Sequence, residues 1–326
     1  MSYIHYYKQP ALRDPVAIVA FGGWNDAADS ATTAIKFLIQ RWQPTKVAEI
    51  EPEDFYVFTE TRPTIKFDGT QRSIVWPTNR FLAYSDAELP HDILLFVGVE
   101  PQLKWQAFSS TFLEVCKRFD VSEVVFLGAL LADIPHSMAV PISGSSSDAD
   151  IRERLREMDV DNSRYEGPTG ILGVLQEACV QTHIPAASLW AAAPHYLAAT
   201  PNIKVTAALL TYLNTYLSLG LDLHEIQSDA VHFEEQITRL VARDPDASAY
   251  VRKLEERIER GEEDEDEEDE EEDEDVIRND PDSIISSGPL PSADLLIRDV
   301  EELLRKQREN GRAQPGENDK NDEENQ

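Results

Sequence analysis

Apolar residues in the front two thirds of the chain alternate between two patterns. Short unbroken runs read as strands buried on both faces, and longer stretches with apolar residues three and four apart read as one-sided helices. Residues 16–21 form such a run, closed by Gly22 and Gly23. The helix after it places Ala31, Ala34, Ile35, Leu38 and Ile39 on one face, with Asn25 or Asp26 as its cap, and stops at Arg41-Trp42-Gln43-Pro44. Residues 46–50, 93–99, 123–131 and, more briefly, 138–142 read as further strands, and 143–147 as a polar loop. Helices are predicted near 105–119 (Phe108, Phe112, Val115, Cys116, Phe119), over the polar stretch 149–158, over 169–182 (Ile171, Val174, Leu175, Ala178, Cys179) and over 205–217. Residues 186–193 are small and apolar and read as a central, tightly packed strand.

Such alternation implies an α/β fold: a mainly parallel sheet with helices on both faces. Right-handed crossovers then bring the junctions at Gly23, Glu100 and Gly170 to one rim, at the carboxyl ends of the strands. Residues 54–84 break the pattern. Short β-prone pieces at 64–67, 72–76 and 81–84 are separated by Asp68-Gly69 and Pro77-Thr78-Asn79, which predicts an antiparallel insertion or extension at the sheet edge with a hairpin at Asp-Gly.

After Gly220 the period changes. Ile226, Ala230, Phe233, Ile237 and Leu240, then Ala247, Val251, Leu254 and Ile258 beyond Asp244-Pro245-Asp246, give a helical hairpin with narrow, heptad-like, coiled-coil seams. The domain organisation read from these shifts is an α/β domain over 1–220 (with 54–84 inserted), a helical hairpin over 221–260, an acidic disordered linker over 261–288, a C-terminal helix over 289–307 and a disordered tail over 308–326.

Charge sharpens this picture. Of the 326 residues 61 are Asp or Glu and 30 are Lys or Arg, for a net charge of −31. Every residue from Glu262 to Asp275 is acidic, a run expected to be disordered by self-repulsion. The rest is still acidic, which argues against nucleic acid and against an anionic membrane surface as partners. No apolar run is long enough to span a bilayer, and the first residues carry no signal-peptide core. The two cysteines, Cys116 and Cys179, fall on apolar helix faces without zinc spacing, so no metal and no cofactor is expected and a cytoplasmic setting is.

The candidate chemistry sits at the junctions. Gly22, Gly23, Trp24, Asn25 and Asp26 form a glycine turn before a helix that either seats an anion, with Trp24 stacking on a ring, or simply caps the helix. Gly167, Thr169 and Gly170 offer a second helix start, with Thr169 as ligand or cap. Glu100, Asp133, His136 and His195 each follow a strand and are the acid–base candidates; the alternative is that both histidines tie loops down by hydrogen bonds. The segment 143–147 is not a nucleophile elbow. This leaves two functions open: an interaction or assembly protein that self-associates and holds an unknown protein partner, or a binder or enzyme for an anionic or nucleoside-like ligand at the rim.

Several segments resemble the PAC2 family, relatives of proteasome assembly chaperone 2. They are Phe21-Gly22-Gly23-Trp24-Asn25-Asp26-Ala27-Ala28-Asp29-Ser30, Glu51-Pro52-Glu53-Asp54-Phe55-Tyr56, Thr61-Arg62-Pro63, Trp76-Pro77, Gly98-Val99-Glu100-Pro101, Trp105-Gln106-Ala107-Phe108, Leu127-Gly128-Ala129-Leu130, 165–174, 188–196 and Leu290-Pro291-Ser292-Ala293-Asp294. The acidic run and the hairpin look like the actinobacterial branch. The resemblance implies a nucleoside-phosphorylase-like α/β fold and self-association, and it implies no established reaction. The chain departs at Pro135-His136-Ser137-Met138-Ala139, where close relatives tend to read Pro-His-Thr-Arg-Pro. It ends Glu323-Glu324-Asn325-Gln326 rather than in the hydrophobic-Tyr-X tail with which the eukaryotic chaperones dock, which argues against direct proteasome docking by that route.

Overall fold

A computed structural model describes residues 3–163, 165–199 and 201–260. The acidic run, the 289–307 helix and the tail lie outside the described residues. In chain order the elements are β1 (Ile4–Tyr6), β2 (Val16–Gly22), α1 (Ser30–Trp42), β3 (Thr45–Ile50), β4 (Thr64–Asp68), β5 (Gln71–Val75), β6 (Asn79–Tyr84), β7 (Ile93–Val99), α2 (Trp105–Arg118), β8 (Glu123–Ala132), β9 (Ile142–Ser145), α3 (Ala149–Glu157), β10 (Asp161–Asn162), α4 (Ile171–Gln181), β11 (Ala186–Pro194), α5 (Ile203–Leu217), α6 (His224–Val241) and α7 (Pro245–Glu259).

The large sheet runs β1-β3-β6-β7-β2-β8-β11-β9-β10. Its centre, β7-β2-β8-β11, is parallel. The flanks β1-β3-β6-β7 and β11-β9 are antiparallel. β2 is buried on both faces, so it needs no polar alternation: Val16, Ile18 and Ala20 point to α1 and α5, and Ala17, Val19 and Phe21 to α2 and α4. The second face is aromatic. Phe21, Phe81, Phe96, Phe108 and Phe112 interlock in tilted and edge-on pairs with centroids 4.7–5.8 Å apart. Each such ring costs about 3–5 kcal/mol to delete.

Two expectations need correction, and one strand is unanticipated. Residues 81–84 pair antiparallel as expected but not at the sheet edge: β6 is an inner strand between β3 and β7, because Phe81 feeds the aromatic core. Residues 143–147 are not wholly loop. Ser143 and Ser145 extend β9, where Ser145 Oγ lies 2.9 Å from Ser188 Oγ and the serines meet their hydrogen-bond needs across the ladder. Finally, β1 has no counterpart in the sequence reading, since three residues carry too little periodicity to register.

The Asp-Gly hairpin forms as expected and stands apart as a two-stranded sheet, β4-β5, with both strands exposed along almost their whole length. It leaves the body between β3 and β6. β3 runs in the same direction as the central strands, so this arm rises from the same rim as the carboxyl ends of β2, β7, β8 and β11.

Candidate functional site

The three strand-to-helix junctions converge on the Glu100 carboxylate. Its Oε1 accepts from Asn25 Nδ2 at 2.9 Å and from the Ile171 N–H, the first amide of α4, at 2.8 Å; Oε2 accepts from the Trp24 N–H at 3.3 Å. Gly23 has φ +127°, closed to L side chains, and a Cβ there would stand 3.1 Å from that of Glu100. A Cβ on Gly170 would strike the Asn25 amide. The glycines therefore let two loops close around one carboxylate, and that carboxylate sits where an anion would sit on a helix N-terminus.

The neighbouring helix start is filled the same way. Asp26, buried, accepts from the Ala31 and Thr32 N–H groups at 2.6 and 3.2 Å and from Thr32 Oγ1 at 2.5 Å. Burial raises its carboxyl above the usual range, and the bonds from Thr32 and Ala31 pull it back. These bonds also hold Ala28 and Asp29 in left-handed backbone, φ 52° each, a conformation unfavourable for a β-carbon residue. Asp26 thus supplies the capping side chain of α1, although the N-cap position itself is Asp29. Thr169 is not the cap of α4: that position is Gly170, and Thr169 Oγ1 turns to the Gly170 carbonyl.

Glu100 does not meet the histidines. Asp133, His136 and His195 form a second cluster on the same rim, under the α6–α7 hairpin. His195 Nδ1 lies 2.8 Å from Asp133 Oδ1 and its Nε2 3.1 Å from the Tyr250 hydroxyl of α7. The Tyr196 hydroxyl accepts the His136 N–H at 2.6 Å and sits 2.8 Å from His136 Nδ1, while His136 Nε2 lies 3.1 Å from Thr238 Oγ1 of α6. Lys204 Nζ donates to the His136 and Met138 carbonyls and pairs with Glu234 of α6, and Arg257 of α7 donates to the Asp133 carbonyl. Burial, with Lys204 adding repulsion, lowers His136 to about 4. Beneath these polar ties Phe233, Ile237, Tyr250, Val251 and Leu254 pack with Tyr196 and Leu197. The histidines connect the hairpin to the rim. Their geometry supplies fasteners, and the sequence reading missed their partners Tyr196, Lys204, Tyr250 and Arg257 because those contacts span 50 residues or more.

The rim also carries a surface the sequence reading passed over. Trp24, read in the sequence as a residue that could stack on a ring, is 62% exposed. At the same rim Leu103, at the start of the α2 junction, Leu130 and Leu131, at the end of β8, and Met138, in the following loop, are exposed, as are Ile65, Phe67, Ile74 and Trp76 on the arm. The strand parity of 130–131 gives no hint of this: only the outrun of β8 past β2, whose pairing stops at Phe126, exposes them. A cleft of about 520 Å³ lies instead on the outer side of α1 and α6, where Lys36 and Arg41 face Glu225 and Asp229. Among the described residues no group of His, Cys, Asp and Glu could hold a metal ion, and no helix is long and apolar enough to cross a membrane.

Comparison with known proteins agrees with this architecture. The PAC2 family profile matches residues 20–241. A PAC2 family protein from Streptomyces avermitilis is 43% identical over 73% of this chain and 100% of its own, with a TM-score of 0.67. A proteasome-assembly chaperone homologue from Mycobacterium tuberculosis is 39% identical over 73% of this chain and 99% of its own, TM-score 0.65. An archaeal proteasome activator from Pyrococcus furiosus, 17% identical over 73% of this chain and 97% of its own with a TM-score of 0.59, shares the fold alone. A search of curated proteins found no match.

Proposed function

The chain belongs to the PAC2 family, and on that premise we propose that it is an assembly protein of the chaperone-like kind, which self-associates and holds another polypeptide against its strand rim. One observation carries the reading. Both helix starts that could receive a ligand's anion are filled by the chain's own carboxylates, Asp26 and Glu100, while large apolar side chains are exposed around them. Apolar surface gathered on one side marks protein contact more than small-molecule chemistry. The relative described as a proteasome-assembly chaperone homologue supports the same class of role. The domain scheme with an α/β body to residue 220 and a separate hairpin fits it as well, with the hairpin fastened to the rim by the histidine cluster.

Light scattering on the full-length protein from about 1 to 100 µM, a range spanning typical subunit affinities, tests this. The expected mass exceeds one chain and falls when Leu131 is replaced by Asp. A single-chain mass at every concentration, with no loss of any retained partner in the Leu131→Asp protein, would retire the reading. The ligand reading has its own test: thermal shift with nucleosides, phosphate and amino acids, for which no stabilisation is expected.

A further inference from the structure

The arm carries a bare apolar face, and the rim it rises from carries exposed apolar side chains of its own. Among the described residues β4 and β5 pair only with each other, and two strands alone are marginal in water without a surface to bury. Cross-strand register puts Ile65 opposite Ile74 and Phe67 opposite Arg72, so one face of the arm is Ile65, Phe67 and Ile74 with Arg72 at its edge. Those three apolar residues are 54%, 69% and 51% exposed. Among the described residues nothing covers them, although Trp76 at the base is anchored against Phe58 with centroids 4.8 Å apart. The arm is held at its root and bare at its tip.

Charge points to the occupant. In a chain of net −31 the arm is basic: Arg62, Lys66 and Arg72 stand against Asp68. The rim loop 23–29 has no lysine or arginine, and it holds Trp24 next to exposed Asp29; Glu166 is exposed on the loop before α4. A basic, apolar finger and an acidic, apolar seat occur on the same polypeptide. Arm against arm would set like charge on like charge, whereas arm against rim pairs opposite charge and apolar surface together.

We propose that the β4–β5 arm docks on the rim of a second copy of this chain, with Ile65, Phe67 and Ile74 laid over Trp24 and Leu131 and Arg72, on the same arm face, turned toward Asp29 and Glu166. This rests on the self-association reading and adds the surfaces that make it. The contact is between different patches, so each copy offers one arm and one seat, and the assembly closes when every arm is seated.

The test uses the full-length protein. Phe67→Cys and Leu131→Cys variants are prepared separately, mixed and oxidised; the native Cys116 and Cys179 are buried and do not compete. Crosslinking between residues 67 and 131 of different chains is expected in the mixture, and little in either variant alone. In parallel, Phe67→Asp and Leu131→Asp should each weaken association at least tenfold, and the double variant no further than the stronger single. Phe67 lies outside the core, so an unchanged circular dichroism spectrum and melting temperature establish that its variant folds. Crosslinks formed by Phe67→Cys protein alone would overturn the assignment in favour of arm-to-arm pairing. If the wild type associates and Leu131→Asp dissociates it while Phe67→Asp does not, the arm is excluded and the rim interface stands. If the wild type never associates, the self-association reading itself fails.

Discussion

Glu100 joins three loops from one side chain, so it is where a single substitution tells most. Glu100→Ala removes the acceptor of two backbone N–H groups and the Asn25 amide; a loss of about 2–4 kcal/mol is expected in urea unfolding. Glu100→Gln keeps one carbonyl for Asn25 and Ile171 and should lose about half as much. Two other residues make stability depend on pH, with opposite sign. His136 is held neutral, lowered to about 4 from 6.5. The unfolded chain takes up its proton first, so the stability this residue contributes is complete above pH 6.5 and lost as pH falls toward 4, by about 3 kcal/mol in all. His136→Gln should remove that component, read as the wild-type minus variant difference across the window. Asp26 is raised by burial, so its folded form keeps the proton longer and stability declines as pH rises through its folded value. Asp26→Asn preserves an acceptor for Ala31 and Thr32 and should gain on the wild type as pH climbs past the ordinary carboxylate range.

At the scale of elements the helical hairpin is the informative case. The apolar stripes of its two helices are plain in the sequence because helical period survives in any window of ten residues, but Ile226 and Ala230 pack into the main core, and Phe233, Ile237, Ala247, Val251 and Leu254 meet in the hairpin. Where the hairpin docks is not written there. The docking depends on Tyr196 meeting His136 and on Tyr250 meeting His195, pairs set by the way the rim folds. The histidines could be picked out as strand-end residues, but their role as fasteners needed the partners. Tyr196→Phe leaves the buried His136 N–H without its acceptor and should cost about 1–3 kcal/mol. Leu254→Ala, almost fully buried, should cost about 2–4 kcal/mol. Both should raise the amide exchange of α6 and α7 well before that of the central strands.

For the molecule as a whole, the parallel centre and the meeting of Gly23, Glu100 and Gly170 were legible, since apolar runs closed by glycine fix strand ends and right-handed crossovers fix their side. The antiparallel flanks were legible only in part: β6 was grouped with the wrong neighbours because local β propensity does not say which strand pairs with which. That Glu100 fills the ligand position itself follows from side-chain reach, which no pattern encodes. The apolar rim was invisible for a similar reason, because exposure of Trp24, Leu130 and Leu131 depends on where adjacent strands stop.

The most direct test of the rim as a protein-binding surface is hydrogen exchange on the full-length protein at two concentrations, one below and one above the onset of association. The account predicts that protection gained with concentration concentrates at 23–25, 64–76 and 130–131. Protection that does not change with concentration, or that builds up on the outer face of the helices and leaves the rim as it was, would contradict it.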